Sequence, residues 1–165
     1  MDLETKTVYL LLGSNLGDRR AIVDLALDRI GEMIGSISAV SSFYETEAWG
    51  NEDQPPFLNL AAGVKTVLDP HEVLEQTLKI EEELGRVRAE KWAARVIDID
   101  IILYEEEVIS DGERLQIPHP RMQDRKFVLV PMAEIAAEAQ HPLLQQNISG
   151  LLSILKDNLV VSKIS

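Results

Sequence analysis

The alternation Ile97-Asp98-Ile99-Asp100-Ile101 can be satisfied in only one regular way: as a β-strand with an apolar face and an acidic face. The three isoleucines bury together, and the two aspartates project together on the opposite side. At twice the strand rise the carboxylates stand about 7 Å apart. They repel by about 2 kcal/mol at an effective dielectric near 20, a cost that a divalent cation between them reverses. Two hard oxygen ligands suit Mg²⁺, which completes its shell with water and substrate phosphate. An isolated Asp-x-Asp also fits the wetted face of an amphipathic strand. Here the pair directly follows the basic, Trp-bearing stretch Lys91-Trp92-Ala93-Ala94-Arg95, and that company points to a metal-nucleotide site.

Charge sharpens this reading. The 165-residue chain carries a net charge of −12, so its overall field opposes nucleic acid and anionic membranes, and any anion site must be local. Half of the 16 Lys and Arg residues fall in the two short stretches Arg86 to Arg95 and Arg114 to Lys126, which could converge on one pocket. The chain has no cysteine, which excludes disulfides, thiolate chemistry and zinc-thiolate sites. No apolar run approaches the ~18 residues of a membrane span, and the acidic N-terminus lacks a signal-peptide pattern. A soluble intracellular protein of one domain, residues 1–165, is expected.

Local patterns place the elements. Thr7 to Leu12 reads as a strand, and Gly13-Ser14-Asn15-Leu16-Gly17-Asp18 as the turn into a helix capped by Asp18. That helix should bury Ile22, Leu25, Ala26, Ile30 and Met33. The turn lacks the Gly-Lys-Ser/Thr ending of a P-loop, so its role is structural, with at most a backbone contact to ligand. Ile37 to Tyr44 reads as a second strand, and Glu45 to Pro56 as a functional loop. Phe57 to Thr66 alternates, with Leu58, Leu60, Ala62 and Val64 on one face and Phe57 and Asn59 on the other. Asp69-Pro70-His71-Glu72 starts a helix that should stop at Gly85. Short strands follow around Val108-Ile109 and Leu115-Ile117, then the stiff Pro118-His119-Pro120, a helix to about Ala139 and a last helix from Ile148 to Lys156. Strands separated by helices, with one direct strand-to-strand connection, predict an α/β (α+β) domain with a mainly antiparallel sheet, most simply a ferredoxin-like core with helices on both faces.

Several of these segments together resemble one family. The Lys91 to Ile102 segment, Gly13-Ser14-Asn15-Leu16-Gly17, Ser41-Ser42-Phe43-Tyr44 with Thr46, Gln54-Pro55 with Phe57-Leu58-Asn59, Gly85-Arg86-Val87-Arg88, and Pro118-His119-Pro120-Arg121-Met122 with Arg125 and Phe127 are similar, in the same order, to the 6-hydroxymethyl-7,8-dihydropterin pyrophosphokinases. The resemblance spans roughly residues 7 to 137. It implies a three-layer α-β-α sandwich and transfer of the β,γ-diphosphate of ATP to the pterin hydroxymethyl oxygen, with release of AMP, in folate biosynthesis.

By this resemblance Asp98 and Asp100 hold two Mg²⁺ ions. Arg86, Arg88 and Arg95 contact phosphates, with Arg86 and Arg95 acting in the transfer beside the two acids. Trp92 covers the ATP, and Ile101, Arg114, His119 and Arg125 line the nucleotide side. The pterin lies between Phe57 and Phe127, pairs with Asn59, and meets Thr46 and the backbone near Ala48. Stacking supplies area to a flat ring, and an amide supplies both donor and acceptor to its edge. In-line phosphoryl transfer depends on positioning and charge neutralisation, so the chemistry needs no protein nucleophile. A cytoplasmic monomer is expected, whose only partners are ATP and the pterin. The competing readings are an Asp-x-Asp nucleotidyl- or glycosyltransferase and a non-catalytic ferredoxin-like module that binds a small ligand or nucleotide.

Overall fold

The computed structural model describes residues 4–15, 18–46, 56–88, 96–157 and 159–164, with the backbone alone for 86–88. In chain order the elements are β1 (Lys6–Ser14), α1 (Arg19–Met33), β2 (Gly35–Val40), β3 (Phe43–Thr46), β4 (Phe57–Thr66), α2 (Pro70–Arg88) and β5 (Asp98–Tyr104). They continue with β6 (Ile109–Asp111), β7 (Leu115–Ile117), a 3-10 turn at Met122–Asp124, α3 (Lys126–Ala136), β8 (Gln140–His141), β9 (Gln146–Asn147), α4 (Ile148–Ile154) and β10 (Val161–Ile164). The main sheet runs β10-β3-β4-β1-β5, and β2 also pairs with β4, beyond the end of β3. Every pairing is antiparallel.

Strand alternation sorts side chains into two cores. On one face Val8, Leu10 and Leu12 of β1, Leu60, Ala62 and Val64 of β4, and Ile99 and Ile101 of β5 pack against Ile22, Val23, Ala26 and Ile30 of α1 and Val73, Ile80 and Leu84 of α2. On the other, Leu11, Ala61, Ile102 and Leu103 meet Val128, Leu129 and Met132 of α3 and Ile148 and Leu151 of α4. The result is the expected helix-sheet-helix sandwich. Asp98, Asp100, Phe57 and Asn59 belong to the second face, where Phe127 at the start of α3 borders a cavity with them.

The helix starts follow their capping residues. Asp18 accepts the Ala21 N–H at 3.2 Å. Asp69 accepts the Glu72 N–H at 2.8 Å while Glu72 accepts the Asp69 N–H at 3.0 Å, a reciprocal capping box. Asn147 accepts the Gly150 N–H at 2.8 Å and so starts α4.

Several expectations need correction. Leu25 is exposed and Val23 takes its place inside, because the buried stripe of α1 is centred on Ile22, Ala26 and Ile30. The strand read from Ile37 to Tyr44 is broken at Ser41-Ser42, where serine hydroxyls compete with the ladder. Ser41 Oγ accepts the Ala61 N–H at 2.9 Å, and the Ser42 N–H and hydroxyl both donate to the Glu134 carboxylate. Helix α2 runs through Gly85 to Arg88; a Cβ on Gly85 would meet nothing, so glycine there is tolerated rather than required. α3 ends at Ala136 and α4 at Ile154, and the sequence pattern does not predict β10. Of the loop read from Glu45 to Pro56, Glu45 and Thr46 lie in β3 and residues 47–55 fall outside the described residues.

Candidate functional site

The acidic pair owes its position to three attachments. Ser14 Oγ donates to the Val96 carbonyl at 2.6 Å, which fixes the approach to β5 against the end of β1. Ile97 is buried, which locks the register that turns Asp98 and Asp100 to the opposite face. On the outer edge of β5, the Ile99 N–H donates to Glu81 of α2 at 2.7 Å, so the residue between the two acids is held from both sides. The alternation ends just beyond. The β1–β5 register shifts between Tyr9 and Leu10, leaving Ile102 as the extra residue of a bulge and turning Ile102 and Leu103 together into the second core.

Across the sheet the register places Tyr44, Asn59, Gly13 and Asp98 in one row, since Tyr44 pairs with Asn59, Asn59 with Gly13, and Gly13 with Asp98. Gly13 keeps that row open, because a Cβ there would stand 2.7 Å from Asn59 Oδ1. Above the row is a cavity of about 270 Å³. Its walls are Phe57 and Asn59 from β4, Thr46 from β3, and Arg125 and Phe127 from the start of α3. Asp98 and Asp100 close one end. The Arg125 guanidinium lies 5.6 Å from the Phe127 ring centre, a cation-π contact. Thr46 Oγ1 is buried with no hydrogen-bond partner among the described residues. Such a group is costly to leave unpaired and suits a polar ligand atom.

A second cavity, of about 460 Å³, adjoins the first. It is bordered by Ile99, Asp100 and Ile101 of β5, by Arg114, Leu115 and Gln116 of the β6–β7 hairpin, and by His119. Asp100 lines both cavities. The edge of β5 is bonded at Ile99 by Glu81 and at the Ile102 carbonyl by the His119 N–H, 3.0 Å, and the stretch between them borders this cavity. His119 Nδ1 accepts the Arg121 N–H at 3.3 Å, which assigns the proton of the neutral ring to Nε2. Burial pushes the His119 pKa down and the Arg125 charge adds to that, while the Asp100 carboxylate pulls it up; the net shift is downward. The ring is therefore neutral at pH 7, a donor beside the acids rather than a second cation.

The structure thus brings together Thr46, Phe57, Asn59, Phe127, Asp98 and Asp100 in one cavity, and Asp100, Ile101, Arg114 and His119 in the other. Arg125, expected on the nucleotide side, lines the first cavity, although its charge reaches His119. Ala48, Trp92 and Arg95 lie outside the described residues, as do the side chains of Arg86 and Arg88. Leu11, Gly13 and Leu159 complete the first cavity, and no sequence motif marks them as ligand contacts. Strand period marks Leu11 and Gly13 as lying on the acidic face; nothing local marks Leu159.

Among the described residues no three or more His, Asp or Glu side chains converge on one point that could hold a metal. The metal donors available here are two carboxylates on one strand face. That is a poor set for zinc and a suitable one for Mg²⁺, whose remaining ligands are water and phosphate oxygens.

Fold and site together define an α/β sandwich with two adjoining cavities that share Asp100. Residues 9–137 match the model of the 7,8-dihydro-6-hydroxymethylpterin-pyrophosphokinase (HPPK) family, and the chain belongs to that family. It is 46% identical over 133 residues to the 2-amino-4-hydroxy-6-hydroxymethyldihydropteridine pyrophosphokinase of Bacillus subtilis, covering 80% of this chain and 79% of that one. The protein of the same name from Methylorubrum extorquens is 48% identical over 131 residues, or 79% of this chain and 82% of that one. The HPPK-DHPS of Plasmodium falciparum superposes with a TM-score of 0.72 at 18% identity over 92% of this chain, which shows the shared fold. This chain spans 45% of that longer one. No helix among the described residues is long and apolar enough to cross a membrane.

Proposed function

We propose that the chain transfers the β,γ-diphosphate of ATP to the hydroxymethyl oxygen of 6-hydroxymethyl-7,8-dihydropterin, a step in folate biosynthesis. The acceptor oxygen forms a bond to the β-phosphorus, the bond between the α,β-bridging oxygen and that phosphorus breaks, AMP departs, and the hydroxyl proton passes to solvent. The observation that carries this reading is that Asp100 borders both cavities, so an acceptor in one and a triphosphate in the other meet at the same carboxylate. Family membership supports it, and the non-catalytic alternative is not favoured.

Asp98 and Asp100 would hold Mg²⁺, two ions in this reading, which when bound neutralises the phosphate oxygens during transfer. Phe57 and Phe127 stack the pterin, Asn59 pairs with its amide-like edge, and Thr46 Oγ1 gains a partner that it lacks among the described residues. Ile101, Arg114 and His119 take the nucleotide side, His119 as a neutral Nε2 donor. Arg125, from the cavity end near His119, supplies positive charge where the two ligands meet. By family resemblance Arg86, Arg88 and Arg95 clamp phosphates, Trp92 covers the nucleotide, and the backbone at Ala48 contacts pterin. The protein acts as a cytoplasmic monomer.

Incubation with ATP, Mg²⁺ and hydroxymethyldihydropterin should yield AMP and pterin diphosphate in equal amounts. ADP as the sole nucleotide product would refute the assignment.

A further inference from the structure

The family match stops at residue 137, yet the chain returns to the ligand site well after it. Three contacts make the return. Leu159 lines the first cavity together with Thr46, Phe57 and Phe127. Asp157 is the link that puts it there: one carboxylate oxygen accepts the Leu159 N–H at 2.8 Å, and the other accepts the Lys126 N–H at 3.2 Å. Lys126 opens α3, whose own N-cap residue, Arg125, makes no side-chain cap hydrogen bond. Asp157 therefore caps α3 from a distance, at the end where a carboxylate is favoured by the exposed N–H groups and the helix dipole. The residues on either side of Lys126 are Arg125 and Phe127, both walls of the cavity. Finally β10 joins the sheet beside β3, with Val161 opposite Thr46, so the strand bearing the buried Thr46 hydroxyl is held on both sides.

We propose that the C-terminal segment is a working part of the pterin pocket. Leu159 forms an apolar wall that contacts the bound ring, and Asp157 is the positioning residue that sets Leu159 and the Arg125–Phe127 turn relative to each other. A side chain at 159 then selects for ring size and polarity on that side of the cavity, in a part of the chain that the family model does not reach. The inference rests on the pterin reading of this cavity.

The test uses the full-length protein and three variants, Leu159→Ala, Leu159→Trp and Asp157→Asn. Each is titrated separately with hydroxymethyldihydropterin and with a non-hydrolysable ATP analogue plus Mg²⁺, and steady-state kinetics and thermal unfolding are recorded alongside. Leu159→Ala should weaken pterin roughly tenfold by removing most of an apolar contact, with the ATP analogue and kcat at saturating pterin unchanged. Leu159→Trp, which fills the cavity, should weaken pterin more than Leu159→Ala does and still spare the nucleotide. Asp157→Asn keeps the shape but has one acceptor oxygen for two N–H groups; KM for pterin should rise about threefold while kcat holds. Unchanged pterin affinity in both Leu159 variants, or equal losses for both ligands that track a lower Tm, overturns the proposal and leaves the function assignment standing. A wild-type chain that binds the ATP analogue but no pterin overturns both.

Discussion

Gly13 and Asn59 face each other across β1 and β4, and the space a Gly13 side chain would need is already taken by the Asn59 amide, whose Oδ1 would lie 2.7 Å from a Cβ. The smallness of one residue therefore sets the rotamer of the other. Gly13→Ala should push the amide off its position over the cavity floor. Pterin affinity should fall by at least tenfold, with thermal stability lowered by about 1–3 kcal/mol, the usual range for overpacking a close-fitted site. Isothermal titration with pterin and with an ATP analogue checks it. A variant that binds pterin as tightly as wild type would show that the amide is not the pterin contact.

Asn59→Ala removes the edge partner without disturbing Gly13. A site built to hydrogen-bond a ligand amide loses heavily when that group is deleted. The expected result is a loss in pterin binding of about a hundredfold, with little change for ATP. Equal weakening of the two ligands would count against the division of labour between the cavities.

Asp98 and Asp100 should separate in their effects, because both border the pterin-side cavity but only Asp100 borders the other as well. Asp100→Ala should abolish Mg²⁺-dependent binding of the ATP analogue and lower kcat by three orders of magnitude or more, by analogy with the loss of other electrostatic stabilisers of transferring phosphate. Asp98→Ala should lower kcat similarly and retain more nucleotide affinity. Both variants should keep the fold, because the buried Ile97, Ile99 and Ile101 on the opposite face anchor β5 in the core. Circular dichroism melts and Mg²⁺ titrations of both variants decide this.

Much of this site was legible from local patterns, and what escaped has a common cause. Strand period alone put Asp98 with Asp100 and Phe57 with Asn59, and a four-residue signature was enough for the Asp69–Glu72 capping box, because each depends on geometry within one element. The bulge at Ile102, the break at Ser41-Ser42 and the passage of α2 through Gly85 depend on partners distant in sequence: β1, Glu134, and the packing of Leu84 in the α1–α2 core. Leu159 is the extreme case. It opens the short apolar run Leu159-Val160-Val161, which carries no ligand signal, and only the Asp157 bonds and the β3–β10 pairing bring it to the cavity. Arg125 is intermediate: its neighbourhood to Phe127 follows from spacing, but which cavity it enters is decided by how α3 meets the sheet.

The Tyr44–Glu134 contact ties that helix to the sheet and makes stability depend on pH at both extremes. The Tyr44 hydroxyl donates to Glu134 at 2.6 Å, and the same carboxylate accepts the Ser42 N–H and hydroxyl. Burial, then the hydrogen bond to Glu134 and its charge, push the Tyr44 pKa up to about 12. Glu134 shifts the other way. Burial raises its pKa, but the hydrogen bonds from Tyr44 and Ser42 and the Lys163 charge outweigh that and leave it below the ordinary carboxylate value. For Tyr44 the unfolded chain loses its proton first, near pH 10, so the contribution is complete below that and is lost as pH rises toward about 12. For Glu134 the unfolded chain takes up its proton first, so the contribution is complete above the ordinary carboxylate pKa and is lost as pH falls through the depressed one. Denaturant unfolding measured from pH 3 to 11.5 should show both slopes. Tyr44→Phe should flatten the alkaline slope and shrink the acid one, because it removes the strongest hydrogen bond that Glu134 accepts. An alkaline slope that survives in Tyr44→Phe would place its origin in Tyr9 or Tyr104, whose hydroxyls are also pushed upward by burial and neighbouring carboxylates.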